Sequence, residues 1–288
     1  MTRTELIARI KETGSFLCVG LDTDLEKLPS HLGNDLAAML AFNRAIIDAT
    51  LPYCVSYKIN SAFYEAYGSE GWQIMQETFD YIPDTHFKIA DAKRGDIGNT
   101  SHRYAKAFFE TIGADAVTVA PYMGEDSIRP FLEYGGKWTI VLGLTSNAGS
   151  ANFQRLKLDS NKGGFSLVPN IVRGERGQQL YENVLETAAQ WGSEKSLMFV
   201  IGATQASELE NVRSIVPNHF LLVPGVGAQG GSLEEVARYG LNADCGLLVN
   251  ASRAVIYASA GKEFAEAAAS VALAYRTEMQ EYLKAKMV

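Results

Sequence analysis

The sequence predicts an α/β fold, a single (β/α)8 TIM barrel with an insertion after the fifth strand. Three observations carry this. Eight short β-rich runs alternate with amphipathic helical stretches along the whole chain. Most of the runs are continuously apolar, as in FLCVGL, TIVLGL and HFLLV, the pattern of parallel strands covered on both faces. The spacing of strand starts is regular. Six of the seven intervals suit one βα unit, and the longest, from 138 to 197, holds one unit plus extra chain. An open doubly wound sheet would have fewer strands and usually a G-x-G-x-x-G after the first, whereas this first strand ends GLDTD.

Taken in order, residues 5–12 read as a helix that precedes the first strand, 16–24. A helix is expected over 34–50, with Asn34 as N-cap candidate and Leu36, Met39, Leu40 and Ile47 at helical spacing. The second strand, 54–61, and the third, 85–94, follow, and no helix is assigned between them. A helix over 100–112 leads to the fourth strand, 116–122, and a helix over 125–134 to the fifth, 138–146. Segment 149–177, GSANFQRLKLDSNKGGFSLVPNIVRGERG, is polar and Gly-rich and holds five Lys or Arg residues. It follows a strand end on the face where barrel active sites form, so a lid and a solvated decoration are both open readings. Helix 178–191, strand 197–204, helix 205–216, strand 219–226, helix 232–239, strand 246–253 and helix 263–284 complete the pattern.

No break in composition divides the chain, so residues 1–288 are expected to form one domain. Hydrophobic residues make up 47% and charged residues 20%, ordinary values for a chain that buries a large core. Lys and Arg number 26 against 33 Asp and Glu, a formal charge of −7 that argues against non-specific nucleic-acid binding. No run approaches the roughly 18 apolar residues of a membrane span, and the N-terminus lacks the apolar stretch of a signal peptide. A cytoplasmic protein with no nucleic-acid or membrane partner is expected. Cys18, Cys54 and Cys245 lie in apolar stretches without C-x-x-C spacing and read as buried free thiols. His31, His86, His102 and His219 are scattered, so no metal site is expected.

The strand ends carry the chemistry. The third strand ends IADAKRGDIGNT, placing Asp91 and Lys93 two apart on one strand face, with Asp96 just beyond. Lys58 ends the second strand and Asp22 the first. Such charges at buried strand ends are costly unless paired. A structural ion-pair network would explain any one pair, but three strand ends converging on one mouth favour a functional site. The seventh strand runs into PGVGAQGG, 224–231, and the eighth ends Asn250-Ala-Ser-Arg253. Glycines let backbone N–H groups face an anion, and an Arg fork matches phosphate oxygens. A phosphate site after strands seven and eight recurs in barrels. The bland alternative is a tight turn with Arg253 salt-bridged at the rim.

These residues together resemble the orotidine 5'-phosphate decarboxylase family. DAKRGDIGNT at 91–100 carries the resemblance, with Asp22, Lys58, the Leu144-Thr-Ser-Asn147 strand end, PGVGAQGG and Arg253 in the same order along the chain. The R-G-D-I-G-N-T form and the long insertion resemble the subfamily typified by mycobacterial enzymes. The resemblance implies conversion of orotidine 5'-phosphate to UMP and CO2, the last step of de novo pyrimidine synthesis, without metal or organic cofactor. It implies that Lys93 protonates C6, that Asp91 sits beside the substrate carboxylate, and that Lys58 and Asp96 complete an alternating Lys–Asp network. Asp96 and Thr100 would reach the site of a partner subunit, so a homodimer with shared active sites is implied. Asp22 would contact ribose, Ser146 the pyrimidine ring, Gln229 the region near phosphate and base, and Arg253 with the 227–231 loop, Gly230 included, the phosphate.

Two rivals stand beside this. Metal-dependent sugar-phosphate lyases of the same suprafamily place a metal-binding carboxylate at the second strand end, where this chain has Lys58, which would repel a divalent cation. A silent nucleotide-sensing barrel would lack part of the catalytic set, and no part is missing here. A fused phosphoribosyltransferase is not expected, since the barrel uses nearly all of the chain.

Overall fold

The computed structural model describes residues 1–158, 177–227 and 230–286. Eight parallel strands close a barrel in sequence order. They are β1 Leu17–Gly20, β2 Ser56–Asn60, β3 Phe87–Arg94, β4 Ala116–Val119, β5 Trp138–Leu144, β6 Leu197–Ile201, β7 Phe220–Pro224 and β8 Leu247–Ala251. The ring closes where Leu17 of β1 meets Val249 of β8. Most strands end earlier than the sequence suggests. Asp22 and Ser146 therefore stand in loops just past the strand ends, and Arg253 opens a short helix after β8, all at the mouth.

The helices are α1 Arg3–Thr13, α2 Leu36–Thr50, α3 Ala62–Glu65, α4 Gly68–Tyr81, α5 Gly98–Lys106, α6 Glu125–Leu132, α7 Leu180–Ala188, α8 Leu209–Ile215, α9 Leu233–Gly240, α10 Arg253–Ile256 and α11 Phe264–Lys286. Four of these, α2 to α5, differ from expectation. The N-cap of α2 is Asp35, not Asn34, because the Asp35 carboxylate accepts from Ala38 N–H (2.8 Å). Helices α3 and α4 fill the stretch to which the sequence assigned none. The helix expected over 100–112 becomes α5 followed by a π turn, Ala107–Thr111, closed by Ile112 N–H to Ala107 C=O (2.9 Å) and burying Phe108 and Phe109.

The N-terminal end of the barrel is sealed. Phe87, Trp138 and Phe220, from alternate strands β3, β5 and β7, are buried and meet edge to face, with centroids 5.9 and 6.2 Å apart. Trp138 Nε1 donates to Met1 C=O (2.9 Å), the Met1 ammonium pairs with Asp115 (2.6 Å), and Arg3 lies over the Phe220 ring. Chain entry thus plugs one end and leaves the C-terminal mouth as the open one. Cys18, Cys54 and Cys245 are buried free thiols. No described helix is long and apolar enough to cross a membrane.

Residues 159–176 of the insertion lie outside the described residues. Its two ends are paired with each other: Lys157 bridges Gln179 in antiparallel fashion, and Leu158 N–H donates to Gln178 C=O (2.8 Å). Arg155 pairs with Glu208 (3.0 Å), beyond β6.

Candidate active site

A cavity of about 460 Å³ opens at the C-terminal mouth. Asp22, Lys58, Asp91 and Lys93 form one side as an unbroken alternating chain. Lys58 Nζ lies 2.9 Å from Asp22 Oδ1 and 3.0 Å from Asp91 Oδ2, and Lys93 Nζ lies 2.6 Å from Asp91 Oδ1. Lys58 is 4% exposed and Lys93 is 50% exposed, so the first ammonium is locked between carboxylates while the second faces the cavity. Burial works against the Asp91 carboxylate, but the charges of Lys58 and Lys93 outweigh it and hold its pKa well below the usual 3.8. Burial likewise works against the Lys58 ammonium, and Asp22 and Asp91 outweigh it, raising its pKa above the usual 10.5. Asp91 and Lys58 are therefore both charged at neutral pH.

The chain of charges follows from strand register. Lys58 pairs with Gly20 of β1 and Ile89 of β3, two residues before Asp22 and Asp91, so its long side chain reaches up from one layer below and ends between the two carboxylates. On the other side of β3 the register breaks: Ala90 pairs with Val117 but Arg94 with Val119. Within that bulge Lys93 takes a left-handed backbone, φ 47°, rare for a residue with a Cβ. Lys93 N–H donates to the Thr118 hydroxyl (2.9 Å), which itself donates to Asp91 Oδ1 (3.0 Å).

Ser146 and Arg253 line the same cavity. Among the described residues no carboxylate lies within ion-pair distance of Arg253, so the rim salt bridge is absent there and the guanidinium is available to an anion. The glycine loop departs from expectation. Gly227 N–H donates to Gly231 C=O, Gly230 N–H to Gly227 C=O and Gly231 N–H to Gly225 C=O, at 3.0, 2.9 and 3.2 Å. These three donors close the turn on itself, so Gly230 supplies a left-handed corner (φ 84°) rather than a free donor. Gln229 lies outside the described residues.

Asp96 and Thr100 do not line the cavity of their own chain. The Asp96 carboxylate accepts from Ile97 N–H (2.7 Å), and Thr100 is exposed on α5. The structure also places residues in the site that the sequence reading passed over. Thr118 is one; its signal was a lone hydroxyl in the apolar run AVTV. Gln154, in the insertion stem, is another: Thr145 N–H donates to its Oε1 (2.8 Å), and its Nε2 donates to the Thr145 hydroxyl (2.9 Å). It lies in the segment that the sequence marks only by its overall polarity, glycines and basic residues. Among the described residues no group of three or more His, Cys, Asp or Glu side chains converges to hold a metal.

Comparison with known proteins gives this geometry its kin. Residues 15–268 match the profile described as "Orotidine 5'-phosphate decarboxylase / HUMPS family". The chain is 52% identical over 288 residues to an orotidine 5'-phosphate decarboxylase of Bacteroides fragilis, covering 99% of each. The structure of Leishmania donovani OMP decarboxylase superposes with a TM-score of 0.77 at 35% identity, covering 96% of this chain and all of that one. The UMP synthase of the same organism matches at 37% identity and a TM-score of 0.78, and this chain spans 56% of its length. The sequence likeness runs through the strand ends that build the alternating Asp–Lys chain, and the protein belongs to the orotidine 5'-phosphate decarboxylase / HUMPS family.

Proposed function

We propose that this chain decarboxylates orotidine 5'-phosphate to UMP and CO2, the last step of de novo UMP synthesis, using its own side chains and no metal or organic cofactor. The observation that carries the reading is the Asp22–Lys58–Asp91–Lys93 chain on one wall of a cavity that Arg253 also lines. Arg253 would take the phosphate, Asp22 the ribose and Ser146 the ring. Gln229 is assigned near the phosphate and base on resemblance alone, and Gly230 contributes the corner of the phosphate loop. The substrate carboxylate would then lie beside Asp91, with C6 before Lys93.

The chemistry needs fixed charge. When the C6–carboxylate bond breaks, its electron pair stays on C6, where the ring hardly delocalises it. The Lys93 ammonium stabilises that charge and then gives C6 a proton; solvent returns one to the amine. Lys58 keeps Asp91 ionised, so a carboxylate faces the departing carboxylate until CO2 leaves, and that repulsion is relieved as the bond breaks. Phosphate binding at Arg253 is remote from C6, and its energy can order the site around the ring.

The same reading makes the protein a cytoplasmic homodimer with Asp96 and Thr100 of each subunit in the other's site. Its support is that neither lines its own cavity, and that Ile97, Tyr122 and Met123, at the ends of adjoining strands β3 and β4, expose apolar side chains. We also take residues 1–288 as one barrel domain. Within the family, the R-G-D-I-G-N-T form and the long insertion support a place beside the mycobacterial type; the curated relative reported above is from Bacteroides.

The test is the absorbance of orotidine 5'-phosphate on adding purified protein, with and without EDTA. Loss of substrate absorbance at the same rate in both is expected. Inert substrate refutes the reading, and activity abolished by EDTA and restored by Mg2+ moves the protein to the metal-dependent sugar-phosphate enzymes.

A further inference from the structure

We propose that Thr118 is a positioning residue, whose hydroxyl fixes where the Lys93 ammonium and the Asp91 carboxylate stand relative to each other. This rests on the decarboxylase reading. Thr118 comes from β4, is 1% exposed, and makes hydrogen bonds to both members of the pair. Between the Ala90–Val117 and Arg94–Val119 pairings, β3 holds more residues than β4, so the ladder cannot satisfy every β3 N–H. The Thr118 hydroxyl takes the place of a ladder carbonyl for Lys93. That bond holds Lys93 at φ 47°, a conformation a lysine does not choose unaided.

The hydroxyl has one proton, and it goes to Asp91 Oδ1, the same oxygen that meets Lys93 Nζ. Asp91 Oδ2 faces Lys58. Each carboxylate oxygen is thus assigned, and rotation of the carboxylate would break three contacts together. One side chain therefore ties the strained backbone of Lys93 to the orientation of Asp91. Serine would keep this device; valine, of nearly the same shape, would remove it.

The test compares wild type with Thr118→Ser and Thr118→Val, reading kcat, KM, UMP affinity and hydrogen exchange at the Lys93 amide. Expected for Thr118→Val is a fall in kcat of about 10- to 100-fold, the scale of a lost hydrogen bond to a charged group. KM and UMP affinity should stay within about threefold, because the phosphate and ribose contacts are untouched. The Lys93 amide should exchange at least about tenfold faster. Thr118→Ser should restore all of these to within about threefold of wild type. If Thr118→Val does not fold, Thr118→Ala carries the same expectations. An unchanged kcat in the valine or alanine variant overturns the proposal. So does equal damage from serine and valine, which would assign the effect to the methyl group, or UMP affinity lost in step with kcat, which would mean a collapsed site. Wild-type protein inert toward orotidine 5'-phosphate refutes the decarboxylase reading instead, and Lys93 exchange then still decides whether Thr118 holds that backbone.

Discussion

Of the two lysines in the charge chain, only Lys93 is exposed to the cavity, so the two should fail differently. Lys93→Ala is expected to remove nearly all decarboxylation while UMP binding stays measurable, since affinity for UMP rests on phosphate and ribose contacts. Retention of more than about a tenth of wild-type kcat, a barrier change below about 1.4 kcal/mol, would refute its role. Arg253 tests the other side of the site. It lines the cavity without a carboxylate partner among the described residues, so Arg253→Ala should chiefly raise KM, with some loss of kcat where remote binding energy serves the transition state. The control is a substrate without its phosphate, which wild type and variant should process with similar kcat/KM. An equal penalty on whole and truncated substrates would mean that Arg253 does not bind phosphate.

Helix α4 shows why some elements resisted the sequence reading and how they can be probed. Gly68 and Gly71 fall in its first turn, and both lower helix propensity. Propensity alone says Gly71→Ala should stabilise by about 1 kcal/mol. The structure says the opposite, because a Cβ at Gly71 would run into the backbone carbonyl oxygen of Tyr64, which cannot rotate away. Gly71→Ala is expected to destabilise by about 1–3 kcal/mol, read as a lower midpoint in urea; a raised midpoint would show that α3 shifts freely. The barrel strands were legible for the converse reason: burial on both faces writes itself as continuous apolar runs such as LMFVI and FLLVP. Asp22, Lys58, Asp91 and Lys93 were legible because charge in such runs demands a partner. Thr118 and Gln154 were not, because what singles them out is a register shift and a stem folded back onto β5, neither of which has a local signature. The glycine turn after β7 was half legible: its glycines left a tight turn and an anion-facing loop both open, but did not say which carbonyls the donors of Gly227, Gly230 and Gly231 would choose.

For the whole molecule, titration sets the stability window and assembly sets the activity. Asp91 is held below 3.8, so its contribution is present above that pH and is lost as pH falls through the lower folded value. Lys58 is held above 10.5, so its contribution is present below that pH and is lost as pH rises through the higher folded value. The histidines narrow the acid side. Burial pushes His86 and His219 down to about 4 from 6.5, so both are neutral in the folded protein and take up protons more readily unfolded. Stability should therefore fall below pH 6.5, by up to about 1.4 kcal/mol per pH unit for each histidine. Thermal melts of wild type and His219→Phe between pH 7 and 4.5 check this: the variant should lose less, and parallel curves would refute the histidine account. Assembly is tested by mixing two dead variants. Asp96 lies off its own cavity, and the family resemblance puts it in the neighbour's. Homodimers of Asp96→Asn and of Lys93→Ala should each be nearly inactive. In a mixed dimer one site carries both lesions and the other carries neither. Random subunit exchange makes about half the dimers mixed, each with one intact site, so activity should recover to roughly a quarter of wild type per site. Recovery that depends on exchange would be unattainable if each subunit completed its own site, because every site would then keep one lesion. Mass spectrometry of the mixed dimer confirms the exchange, and no recovery in its presence would assign Asp96 to its own subunit.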